Sequence, residues 1–143
     1  MKSVVLALTA VLALCACATS RVSPVRPPPT EPQSETAQPL PKKICVVENP
    51  AVVGDFIEAY RTALQNKGYE VKVVKKNPQP SECPLSTRYT ANWRWDLVPY
   101  LVYARLDVYR DGKPAGSAVH NARSSRFINV EATLQSLVDR LLP

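Results

Sequence analysis

Seven of the 24 residues from Ala18 to Pro41 are prolines, three of them consecutive at Pro27, Pro28 and Pro29. Proline has no backbone N–H and a fixed φ, so a segment this rich in it neither continues a helix nor forms a central strand. Ser, Thr, Gln and Glu supply most of the remainder and leave little apolar surface to bury. The chain is thereby divided into residues 1–16 as a leader, 17–41 as a proline-rich linker, and 42–143 as a single folding domain. A domain of that size supports one hydrophobic core with modest stability. In polyproline II geometry, at about 3.1 Å per residue, the linker would reach roughly 75 Å and act as a spacer.

Lys2 and the eleven-residue apolar run Val4–Leu14 have the pattern of a signal peptide, and the run is too short to span a bilayer as a helix. Leu14-Cys15-Ala16-Cys17 resembles the lipobox of bacterial lipoproteins. The resemblance implies cleavage after Ala16 and acylation of Cys17, which becomes the N-terminus. Leu14 is too bulky for the small residue wanted before the modified cysteine, which disfavours Cys15. Ala18, where inner-membrane lipoproteins carry aspartate, implies sorting to the outer membrane with the domain facing the periplasm. Several acyl chains anchor far more firmly than one. Cys45 and Cys83 then remain as an even pair in a disulfide-permissive compartment, and their bridge is expected to contribute about 4 kcal/mol. Their spacing does not suit a zinc site.

The formal charge of the whole chain is +6, and residues 42–143 carry 15 Lys and Arg against 10 Asp and Glu. This mild excess favours anionic partners such as lipid headgroups or acidic wall polymers. The densest basic group is Lys72, Lys75 and Lys76, which reads first as a solvated face. Export and the absence of a basic-aromatic repeat argue against nucleic acid.

Along the domain, Ile44–Val47 reads as a strand, with Asn49-Pro50 as the cap and first turn of a helix. Phe56, Ile57, Tyr60, Ala63 and Leu64 recur at helical spacing, and Gly68 stands at a C′ position. Tyr69–Val74 alternates as a second strand, completing a β-α-β unit with parallel strands. No glycine-rich phosphate loop joins the first strand to the helix, which disfavours nucleotide binding. Thr87–Asp96 places Tyr89, Ala91, Trp93 and Trp95 on one face and Arg88, Thr90, Asn92, Arg94 and Asp96 on the other. A turn near Val98-Pro99 leads to a strand over Leu101–Arg110, and Asp111-Gly112 signals a type I′ hairpin. A two-residue register opposes Ala104 to Val119 and Tyr103 to His120. Asn129 caps a last helix with Val130, Leu134, Leu137, Val138 and Leu141 as its apolar stripe. The expected fold is α+β in the order β-α-β-β-β-β-α, a five-stranded mixed sheet with two helices on one face.

With these residues identified, the domain resembles a family of small uncharacterised lipoproteins of Gram-negative bacteria. The shared pieces are VVENP at Val46–Pro50, CPL at Cys83–Leu85, YTANWRWDL at Tyr89–Leu97, VYRDGK at Val108–Lys113, and a terminal helix ending in LP. The resemblance implies an envelope lipoprotein of this α+β order and strengthens the Cys45–Cys83 pairing. It brings no catalytic residue and no cofactor.

No serine or cysteine nucleophile has an evident base, and His120 is the single histidine. No catalytic or metal-binding set is therefore expected. Both indoles are expected on the helix-covered face as core, with Trp95, nearer the strand end, partly exposed. The polar face bearing Arg94, Asp96, Tyr103, Arg105 and His120 is the expected contact surface for a periplasmic protein or a cell-wall partner. The function read from the sequence is a membrane-anchored binding or scaffold module. The alternative is a small wall-directed enzyme or enzyme inhibitor using the same face.

Overall fold

The computed structural model describes residues 19–25, 40–52, 54–122 and 129–143. Six strands and two helices follow in order: β1 (Thr19–Ser23), β2 (Lys43–Val47), α1 (Phe56–Asn66), β3 (Glu70–Val74), β4 (Leu85–Asp96), β5 (Val98–Arg110), β6 (Lys113–Asn121) and α2 (Val130–Leu141). The strands form one mixed sheet in the order β1-β6-β5-β4-β2-β3. The class and the order of elements from β2 onward are those expected, but the sheet has six strands, not five. The sixth is β1, and it lies inside the segment read as linker.

The β-α-β unit is as predicted, with β2 parallel to β3 and also to β4. Its helix begins later than Asn49. Asn49 instead makes a turn, its Oδ1 accepting from the Ala51 N–H and its Nδ2 donating to the Tyr89 carbonyl, and α1 starts after Asp55. Gly68, at φ +93°, ends the helix as expected, beyond a Lys67 C-cap. At the other terminus the Asn129 side chain accepts from the Ala132 N–H at 2.9 Å and caps α2.

Both helices cover the same face of the sheet. Phe56, Tyr60, Ala63 and Leu64 of α1 and Leu134, Leu137, Val138 and Leu141 of α2 are buried. They meet Ile44 and Val46 of β2, Leu85 and Tyr89 of β4, and Leu101, Ala104, Leu106 and Val108 of β5. At its centre, the rings of Phe56 and Tyr89 stack at 5.2 Å and Tyr60 meets Tyr89 edge-on. The buried Tyr60 hydroxyl lies 2.8 Å from Thr87 Oγ1, which reaches the Asp107 carbonyl at 2.9 Å. This chain of hydrogen bonds satisfies polar atoms that would otherwise be costly to bury. Burial raises the Tyr60 phenol well above its ordinary pKa and keeps it protonated.

Two bulges set the faces of the long strands. The first, between Asn92 and Trp93 of β4, pairs Asn92 with Tyr103 but Trp93 with Leu101. The second, between Val108 and Tyr109 of β5, pairs Val108 with Gly116 but Tyr109 with Pro114. The β5–β6 turn has φ +51° at Asp111 and +75° at Gly112, the expected type I′ signs. Past the second bulge the register moves by one residue, so Ala104 faces His120 and Tyr103 faces Asn121. A slip of one residue exchanges the two faces of a strand, so this corrects both the register and the face expected for His120.

The N-terminal strand pairs antiparallel with β6, from Thr19 against Asn121 to Ser23 against Ser117. Val22 packs against the core, Val25 is buried, and the Val25 N–H donates to the Leu141 carbonyl at 2.9 Å. The linker reading is therefore corrected over Thr19–Val25: an edge strand needs only one ladder, and the first proline, Pro24, falls just after it. Residues 26–39 and the leader, 1–16, lie outside the described residues, as does the polar loop expected at Arg123–Arg126. Gly116 makes the passage possible, because a Cβ there would approach the Ser23 carbonyl oxygen and the Val25 nitrogen to 2.8 Å.

Cys45 and Cys83 are joined in a disulfide, as expected. It ties the loop before β4 to the middle of β2. Replacing both cysteines with alanine is expected to lower unfolding free energy by about 2–5 kcal/mol in urea titration. Gly116→Val is expected to cost about 1–3 kcal/mol through steric displacement. In hydrogen exchange it should deprotect Thr19–Val25 while leaving β5 protected.

Candidate functional site

The face of the sheet that no other element covers among the described residues is where most of the sequence-predicted contact residues converge. Alternation along β4 and β5 puts Arg88, Thr90, Asn92 and Arg94 beside Tyr103, Arg105, Asp107 and Tyr109. The Arg88 guanidinium sits over the Tyr109 ring at 5.0 Å, and Arg105 Nε donates to both carboxylate oxygens of Asp107 at 3.0 and 2.9 Å. This ion pair stands in water, where its net contribution is small. Asp107 holds the Arg105 guanidinium above its ordinary pKa, through the hydrogen bond first and the charge second. Arg94 and Tyr103, with Asn92, Val102 and Asn121, line a shallow hollow of about 370 Å³. Asp96 ends β4, and its side chain lies outside the described part of the structure.

His120 does not belong to this face. It is 6% exposed, on the helix-covered side between β1 and α2. Ser20 Oγ lies 3.4 Å from its Nδ1, and its Nε2 is buried without a hydrogen-bond partner among the described residues. Burial, and secondarily the Arg140 cation, lowers its pKa below the ordinary histidine value. The second bulge is the reason sequence alternation misplaced this residue.

The two tryptophans also part ways. Trp93 is half-buried against the core and lines an apolar hollow of about 440 Å³ with Phe56, Ala59, Pro99 and Val130. Its indole N–H is buried without a partner among the described residues. Trp95 is 74% exposed, which corrects its assignment to the core. The difference follows from length. Helices of 11 and 12 residues extend about 16–18 Å at 1.5 Å per residue. Strands of 12 and 13 residues run about 40 Å at roughly 3.3 Å per residue, so the β4–β5 hairpin outruns its cover.

The projecting end was not anticipated as a site. Val98 and Pro99 lie in β5 instead of in a turn, and the reversal falls on Leu97 alone, between the paired Asp96 and Val98. Leu97 is 90% and Val98 61% exposed. Leu97 also has φ +65°, a left-handed conformation that glycine or asparagine adopts freely and that costs leucine about 1–2 kcal/mol. The sequence signal was the apolar triplet Leu97-Val98-Pro99 two residues after Trp95, which a turn reading absorbed.

Among the described residues no group of three or more His, Cys, Asp and Glu side chains comes together. None of their helices is long and apolar enough to cross a membrane. Cys17 lies outside the described residues, two positions before β1.

No protein-family model matches the chain, and no curated protein matches it. Among solved structures, the fold is similar to that of PelC from Paraburkholderia phytofirmans. A point variant of the PelC dodecamer superposes with a TM-score of 0.61 at 14% identity, over 87% of this chain and 98% of that one. The PelC dodecamer in a second crystal form gives 0.59 at 14% identity, over 87% and 99%. A minor lipoprotein from Acinetobacter baumannii reaches 0.28 at 18% identity, over 73% and 84%, too low a score for a common fold.

The lowered pKa of His120 sets the sign of a pH dependence. The unfolded chain takes up a proton near pH 6.5 and the folded chain only at lower pH, so stability is complete above 6.5 and declines as pH falls through that value. Urea unfolding at pH 7.5 and pH 5 is expected to show this loss, and His120→Gln should remove the histidine contribution to the difference.

Proposed function

We propose that the chain is an outer-membrane-anchored periplasmic lipoprotein, a non-catalytic binding or scaffold module of the cell envelope. The observation that carries the proposal is the two-sided sheet. One face is sealed by α1 and α2, while the other presents Arg88, Arg94, Tyr103 and Arg105 without an element packed over them among the described residues. Fixed cations and aromatic rings on a shallow surface suit recognition of a periplasmic protein or a cell-wall polymer better than enclosure of a small substrate. The lipobox at Leu14–Cys17 supports the anchor, and the shared motifs support kinship with the small Gram-negative lipoproteins. A fold similar to that of a protein that forms dodecamers adds a second copy of the chain to the partners to be tested.

Cys17→Ser is expected to move the protein from the outer-membrane fraction to the soluble periplasm. Retention of the variant in the outer membrane would overturn the anchor. A photo-crosslinking residue at Tyr103 is expected to capture a discrete envelope partner or a second copy, with Arg94→Glu and Arg105→Glu reducing the yield several-fold. An uncrosslinked Tyr103 position in intact envelopes would remove the open face as the binding surface.

A further inference from the structure

Strand registers place the hairpin end relative to the N-terminus. Thr19 pairs with Asn121, Asn121 with Tyr103, and Tyr103 with Asn92, so these four residues form one row across the sheet. Both β1 and β5 run antiparallel to β6. The chain before Thr19 therefore leaves the sheet at the end from which the β4–β5 hairpin projects.

Their reach can be compared. Cys17 is two residues before Thr19, so its Cα is tethered within about 7 Å of the strand start along the chain. Leu97 is five positions past Asn92, about 17 Å beyond the same row at roughly 3.3 Å per residue. Three strand spacings, about 14 Å, separate the two laterally. The hairpin thus extends further from the sheet than the tether of the acylated cysteine does. With the sheet upright on the membrane, acyl chains on Cys17 enter a bilayer at this end only with the hairpin at the same surface.

The hairpin end has the composition such a surface selects. Trp95 and Tyr100 supply the aromatic rings that favour the membrane–water interface, and Leu97 and Val98 supply exposed apolar side chains. Arg94 adds a cation at the base for anionic headgroups. The left-handed backbone at Leu97 is a second, independent sign. A leucine stands, 90% exposed, where glycine would be free of strain, as expected if its side chain has a partner outside the domain.

Resting on the lipoprotein reading above, we infer that the β4–β5 hairpin end, Trp95, Leu97 and Val98, is a membrane-contact element that docks into the phospholipid surface beside the acylated Cys17. The domain then has two points of attachment about 14 Å apart across the sheet. It stands directly on the membrane in a set orientation, with its open sheet face presented sideways to the periplasm. The proline-rich residues lie between β1 and β2, so they do not form a stalk that lifts the domain away.

Lipidated full-length protein in vesicles of phosphatidylethanolamine and phosphatidylglycerol, with or without brominated acyl chains, tests the inference. Mass spectrometry first establishes acylation of Cys17, and an unmodified cysteine would defeat the lipoprotein reading itself. With acylation present, the emission component lost in Trp95→Phe is expected to be quenched at least twofold by brominated lipid and shielded from aqueous iodide. Trp95 is exposed in the free domain, so this variant leaves the core untouched. Leu97→Gly relieves the backbone strain and is expected to keep or raise thermal stability while reducing the lipid quenching of Trp95. Trp95 emission that is indifferent to brominated lipid and open to iodide in vesicle-bound protein overturns the inference. So does a crosslinker at Leu97 that captures protein in place of lipid.

Discussion

The structure depends on a mismatch of length between its two layers. A sheet face must be covered to bury its apolar side chains, and here two three-turn helices do the covering. They suffice for the short strands and for the middle of β4 and β5, where Tyr60, Tyr89, Leu106 and Leu137 close the core. They do not suffice for the whole hairpin. Trp93 marks the edge of the cover and Trp95 lies past it, although both share a strand and alternate on the same face. The burial that holds the domain together therefore also determines which apolar residues are left over.

The N-terminal strand gives this leftover end a direction. Joining β6 requires Gly116, whose missing side chain lets Ser23, Pro24 and Val25 pass close by, and it secures the segment through Val25 against Leu141. With β1 in the sheet, the chain enters Thr19 at the end from which the β4–β5 hairpin projects. His120 sits beneath this strand, and its protonation opposes the packing of β1, β6 and α2 around it.

Much of this was legible in the residues. A β-branched run identified β2, period-two alternation β3 to β5 and the hairpin signal β6, helical spacing identified α1 and α2, and Asn129, Gly68 and Asp111-Gly112 marked a cap, a stop and a turn that the structure contains. The cysteine arithmetic that paired Cys45 with Cys83 agrees with the bridge observed. The open polar face was half legible: Arg94, Tyr103 and Arg105 share it, while His120 does not. Alternation counts residues, and a bulge adds one residue that no local pattern announces. Composition likewise hid β1, because the many prolines of residues 18–41 concealed five consecutive residues, Thr19–Ser23, that are free of them.

The sequence by itself determined the order of the elements from β2 onward and the disulfide partners, because each is set by local pattern or by count. Tertiary structure alone decided strand order, the face on which His120 lies, the capture of β1 and the exposure of Trp95. These depend on which surfaces the helices reach and on the residue at which each ladder slips, and both are settled between segments distant in the chain. The tryptophan that alternation assigns to the core is thus left at the end of the molecule, where the chain that carries Cys17 also emerges.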